Sequence, residues 1–188
     1  MNLPIAITAH LPIKGAGHSA LPSIFAQTKD GNVELLKIGV EWASELSGVL
    51  GTVSVHKHVS TLCRFLNFLH AYAGGEALSV KAQTKAVLAY VDTRIEGTSH
   101  LPTDNALYYL KWPGVSKTTA RNEFNHLIRF LTWLEERTRE ESKAMDRSLF
   151  SLGRVNTHQL KNFGQKDFFI HLKSQRRFWK HLEDDNEF

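Results

Sequence analysis

The sequence predicts an all-α protein, and three observations carry that reading. Apolar residues recur at steps of three and four along several long segments. Serine or threonine precedes the clearest of these segments, and glycine follows several of them. No stretch makes a convincing alternating strand with the period of two that a half-buried strand needs.

The elements follow in chain order. Residues 1–31 carry Pro4, Pro12, Pro22, Gly15, Gly17 and Gly31, a density of breakers that predicts an irregular N-terminal arm. Residues 32–141 hold four helices. The first is expected from Val33 to Leu46, with Leu35, Leu36, Val40, Trp42 and Ala43 at helical spacing before Gly48 and Gly51. The second, Val53 to Ala73, has the strongest pattern: Val55, Val59, Leu62, Leu66, Leu69 and Ala73 line one face. Phe65, Phe68 and Tyr72 widen that stripe, so more than one neighbour must cover it. Thr52 or Ser54 can accept from the orphan amides at its start, and Gly74-Gly75 stops it.

The third helix, Val80 to Glu96, follows Ser79 as N-cap, turns Val80, Val87, Leu88, Val91 and Ile95 to its apolar face, and ends at Gly97. Residues 98–115 form a connector long enough to carry structure of its own. The fourth helix, Lys117 to Glu140, starts from Ser116 and turns Ala120, Phe124, Leu127, Leu131 and Leu134 inward. Its last turns hold Glu135, Glu136 and Glu140, the wrong sign for the helix dipole. Residues 142–188 read as a basic linker followed by a C-terminal amphipathic helix from Asp167 to Leu182.

Composition narrows the function classes. The chain has 188 residues, 42% hydrophobic and 22% charged, which fits one globular domain or one domain with a tail. The single Cys63 excludes an internal disulfide framework and a multi-cysteine zinc site, and it suits a reducing cytoplasm. Cys63 itself is expected as a small buried hydrophobe, and Trp42 and Trp133 as packing residues. No segment approaches the ~20 apolar residues of a membrane span, and Met1 to Leu11 lacks the pattern of a signal peptide. The expectation is a cytoplasmic protein with no cofactor, no metal, no membrane contact and no small-molecule substrate.

Charge is unevenly spread. The net +4 divides into −1 over residues 1–50, +4 over 51–129, −2 over 130–146, +7 over 147–181 and −4 over 182–188. A basic middle and a basic late segment raise the case for a polyanion partner. On the fourth helix Thr118, Arg121, Asn122, Asn125, Arg129 and Thr132 share a side opposite the apolar face, with Lys117 at its start. On the second helix Lys57, Thr61, Arg64 and Asn67 share a face. Arginine binds phosphates and guanine edges, and asparagine can read adenine. The plainer reading of either stripe is a solvated surface. His56 and His58 stand two apart, which points them to different helix faces and favours surface histidines over a metal pair.

The run Thr52-Val53-Ser54-Val55-His56-Lys57-His58-Val59, continued by Leu62-Cys63-Arg64-Phe65-Leu66-Asn67-Phe68-Leu69, resembles the second helix of the core-binding domain of tyrosine recombinases (phage-type integrases). The run Val115-Ser116-Lys117-Thr118-Thr119-Ala120-Arg121, continued by Leu127-Ile128-Arg129-Phe130-Leu131-Thr132-Trp133-Leu134, resembles its fourth helix. Val87-Leu88-Ala89-Tyr90-Val91 resembles the third. The likeness covers residues 33–140 and is one of helix order, caps and apolar spacing; the long 98–115 connector departs from the family's shorter one. It implies a SAM-like four-helix bundle that grips one side of double-stranded DNA and self-associates on it. It implies DNA contacts at Lys57, Thr61, Arg64, Lys117, Thr118, Arg121, Asn125 and Arg129.

In that family the chemistry belongs to a separate domain with a tyrosine nucleophile, arginines and a His-x-x-Arg landmark. His126-Leu127-Ile128-Arg129 matches the landmark, but Leu127 sits on the core face of a bundle helix. Tyr72, Tyr90, Tyr108 and Tyr109 all precede it, and residues 130–188 are too few for a catalytic domain. This chain alone is therefore not expected to exchange strands. Lys161, Lys166, Lys173, Arg176, Arg177 and Lys180, interleaved with Phe168, Phe169 and Trp179, suit a linker running along DNA. Two other readings stay open: a helical protein-interaction module that binds no DNA, and a standalone non-catalytic regulator that occupies recombination sites of a mobile element.

Overall fold

A computed structural model describes residues 6–11, 21–27, 31–73 and 80–140. The order is β1 (Ala6–Leu11), β2 (Leu21–Gln27), β3 (Val33–Leu35), α1 (Lys37–Ser47), α2 (Thr52–Ala73), α3 (Val80–Glu96), a short 3-10 helix (Ala106–Leu110) and α4 (Lys117–Glu140). The described residues are mostly helical, with a small sheet.

The helical expectation holds, and the sheet corrects the reading of an irregular N-terminal arm. The stretch read as an irregular arm contains β1 and β2, which pair antiparallel from Ala6 opposite Ala26 to Leu11 opposite Leu21. β3 pairs antiparallel on the other edge of β2, Phe25 opposite Leu35 and Gln27 opposite Val33. Val33 and Leu35 are therefore strand residues, and α1 starts at Lys37, four residues later than its spacing predicts. Pro22 did not break the strand, for a physical reason. Proline cannot donate to a ladder, and Pro22 faces His10 of β1 at a level where β3 does not reach. The sheet packs on α1 and α2. Ile24 and Ala26 are fully buried in the core, and the Leu36 amide donates to the Ile24 carbonyl at 2.8 Å.

The long helices match their patterns. All five apolar positions expected on α4, Ala120, Phe124, Leu127, Leu131 and Leu134, are buried. The Ser116 hydroxyl accepts from the Thr119 amide at 3.1 Å and caps the helix. α2 is the hub, touching α1, α3, α4 and the sheet. Its stripe is buried from Val55 to Leu69, and Phe65 and Phe68 lie against Tyr90 of α3 at ring distances of 5.5 Å each. Cys63 is buried as expected, and burial pushes its thiol up to about 11, against the pull of Arg64. Tyr72 is largely exposed, so the widened stripe stops one turn early. The cap at Ser79, the Gly74-Gly75 stop, the 142–188 linker and the Asp167 to Leu182 helix lie outside the described residues.

The long connector is tied at both feet. The Thr98 amide donates to the Trp112 carbonyl and the Trp112 amide to the Thr98 hydroxyl, both at 2.9 Å. The Val115 amide donates to the Arg94 carbonyl at 2.9 Å. Gly97 makes this closure possible. Its φ is +78°, and a Cβ there would stand 2.7 Å from the Gly114 amide nitrogen. Gly97→Ala is expected to cost about 3 kcal/mol, combining the left-handed backbone with a backbone clash. Urea unfolding checks this; a loss below 1 kcal/mol would mean the feet can shift freely.

Candidate nucleic-acid interface

α2 and α4 cross with their polar stripes side by side. The contact is made by Thr61, His58 and His126. Thr61 is only 1% exposed, and its hydroxyl donates to the Lys57 carbonyl at 2.9 Å, as a helix-internal bond. The same oxygen stands 3.1 Å from His126 Nδ1. His58 and His126 stack with ring centroids 3.9 Å apart. The His58 Nδ1 donates to the Ser54 carbonyl at 2.9 Å.

Around this contact the charges converge. Burial lowers the pKa of His58, the bond to Ser54 opposes that shift, and the charge of Arg129 adds to it. Burial holds His126 at about 4, with His58, Arg64 and Lys57 pushing the same way and Glu123 opposing. Arg64 Nη2 also stands 3.4 Å from the Thr61 hydroxyl, and the charges of Lys57 and Arg129 act on the same histidine pair. Lys57, Lys117, Thr118, Arg121, Asn125 and Arg129 are exposed, and the Arg64 side chain is 36% exposed. Of the eight contact residues expected from the sequence, seven keep solvent access. Thr61 does not; it is a fastening between α2 and α4. His58 and His126 are likewise interface residues rather than surface histidines.

Glu123 explains why this face has no exposed acid near its centre. It lies on α4 but points inward, with its side chain 7% exposed. It accepts from Arg94 Nε at 2.8 Å and Arg94 Nη2 at 3.1 Å, and from the Tyr90 hydroxyl at 2.7 Å. Arg64 Nη2 sits 3.2 Å from the same Oε1 that accepts from Arg94 Nη2. Burial alone would raise its pKa; the bond from Arg94, the charge of Arg64 and the Tyr90 hydroxyl reverse that and hold it below the usual carboxylate value. Burial also works against the Arg94 charge, and Glu123 overcomes it. Burial and the Glu123 charge both raise Tyr90. Arg94 also covers the Trp112 ring at 5.2 Å.

Comparison with protein-family models, with curated proteins and with solved structures finds no match. The assignment therefore rests on this face alone.

Sequence reasoning missed Glu123, Arg94 and Tyr90 as a unit. The signal existed: Glu123 is the only acid on α4 before its final turns, and it falls beside the apolar positions Ala120, Phe124 and Leu127. Trp42 and Trp133 do pack, 5.1 Å apart. Thr132, expected on the polar stripe, has its hydroxyl buried instead. Among the described residues no cluster of three or more histidine, cysteine or acidic side chains could hold a metal. No described helix is long and apolar enough to cross a membrane.

Proposed function

We propose that the helical domain binds duplex DNA across the α2–α4 face, in the manner of the core-binding, SAM-like domain of a site-specific tyrosine recombinase. The supporting observation is the exposure of Lys57 on α2 and of Lys117, Arg121, Asn125 and Arg129 on α4, two helices joined where Thr61 meets His126 beside Arg64. Phosphate contacts from these cations supply affinity; Arg121 and Asn125 supply modest base reading. The protein self-associates on DNA in this reading. No strand-exchange chemistry is assigned to His126 and Arg129, since His126 is bonded to Thr61 within the bundle.

Duplex binding measured by fluorescence anisotropy is expected to weaken steeply with salt. Arg121→Ala with Arg129→Ala is expected to lower affinity tenfold or more and to reduce the salt slope by about 2. A correctly folded double variant with unchanged affinity would sink the proposal.

One observation favours the protein-interaction reading. α1 and α4 frame a groove of about 420 Å³, lined by Trp42, Leu46, Val49, Ile128 and Trp133, with Val49 68% exposed. It predicts a stable protein complex and no salt-dependent DNA binding.

A further inference from the structure

We propose that His58 and His126, framed by Lys57, Arg64 and Arg129, form a phosphate subsite that takes up one proton from solvent as a phosphodiester enters. The inference rests on the DNA-binding reading and names which side chains at the centre of that face meet the backbone.

The geometry assigns the protons. The Ser54 carbonyl can only accept, so His58 carries its hydrogen on Nδ1. The Thr61 hydrogen goes to the Lys57 carbonyl, so Thr61 accepts and His126 also carries its hydrogen on Nδ1. Both neutral rings therefore keep a bare Nε2, for which the described residues offer no hydrogen-bond partner. A bare Nε2 accepts but cannot donate, so it cannot bond a phosphate oxygen until it is protonated.

The surroundings oppose that proton in the free protein. From α2, Lys57 and Arg64 face the pair; from α4, Arg129 does. Glu123 of α4 is the one acid in range; Arg94 and Tyr90 already occupy it, and Arg64 reaches it at 3.2 Å, so Lys57 and Arg129 carry most of the opposing charge. From α1 the Trp42 ring edge meets His58, with Glu45 across the adjoining groove. A phosphodiester reverses the balance. Its charge offsets the three cations, and its oxygen accepts the new Nε2–H bond. Only one proton enters, because two imidazolium rings cannot both persist 3.9 Å apart.

The test uses the full chain and a 30-base-pair duplex at constant ionic strength. Affinity is expected to rise about tenfold from pH 7.5 to 5.5, near the limit for one linked proton over part of that range. Titration calorimetry in two buffers of different ionisation enthalpy is expected to show uptake of up to one proton. His126→Asn is expected to flatten the pH dependence to about twofold and abolish the uptake while circular dichroism stays unchanged. A duplex that binds without proton uptake overturns the subsite and leaves the DNA face standing. A second measurement separates the reverse case: histidine 15N resonances of the wild-type chain titrated with pyrophosphate. Shifts at His58 and His126 without duplex binding would support the subsite and overturn the DNA reading. Silence in both measurements overturns both.

Discussion

Glu123→Leu is expected to destabilise the domain by about 3–5 kcal/mol, the cost of stranding a charge that its partner had compensated. Arg64 can turn outward when its partner goes, because its side chain is 36% exposed. Arg94 cannot: only 8% of its side chain reaches solvent, and the Trp112 ring lies against it. Tyr90 would also lose the acceptor for its hydroxyl. Replacing the network as a whole should behave differently. Tyr90→Phe, Arg94→Met and Glu123→Leu together remove every buried charge and hydroxyl at once, and most of the lost stability is expected to return. Chemical denaturation of the single and triple variants measures the difference. Equal instability of the two would show that packing volume, not charge, holds this junction.

Trp42→Ala carries a comparable loss, about 3–5 kcal/mol, through the cavity it opens. The Trp42 ring is 2% exposed and touches Phe130 at 5.7 Å and Trp133 at 5.1 Å. Its Nε1 has no hydrogen-bond partner among the described residues. Trp42→Phe should therefore give back much of the stability, since no bond is broken and most of the ring volume stays. A thermal melt in which the phenylalanine variant is as weak as the alanine variant would reveal a bond at Nε1. The same ring meets the edge of His58 at 6.4 Å. Trp42→Ala is thus expected to loosen the α2–α4 crossing along with the core.

The helices were legible because their signals are local and redundant. α3 ends before Gly97 and α4 begins after its Ser116 cap, as spacing and end signals place them. The sheet was legible only in part: Ile7 to Leu11 of β1 alternates apolar and polar residues, but Pro4 and Pro12 beside it read as breakers, and the other two strands draw their order from partners. β2 is buried at Pro22, Ser23, Ile24 and Ala26, so no alternation survives in its sequence. β3 is three residues long and carries apolar residues that a helix spacing could equally claim. The candidate site was half legible. Cations at steps of three and four mark a helix face, and seven of the eight expected residues keep solvent access. That α2 and α4 bring those faces together is a tertiary fact. So is the fate of His58, which is 68 residues from its stacking partner His126 in sequence. Spacing within one helix could not find a pair split between two.

The tied connector has a consequence for how such a domain can vary. Arg94, Thr98, Trp112 and Val115 hold its feet together by backbone bonds, while Pro102 to Asn105 are exposed between them. Because the feet are already closed, extra residues at the tip add only a slowly growing closure entropy, roughly 0.6 kcal/mol for each doubling of loop length. α4 would not register the insertion. Length at this point is therefore free to drift between descendants of a common ancestor, and an aligner that penalises gaps would separate chains whose helices still superpose. The same tip is where a reporter peptide or a small domain could be spliced in without disturbing the bundle.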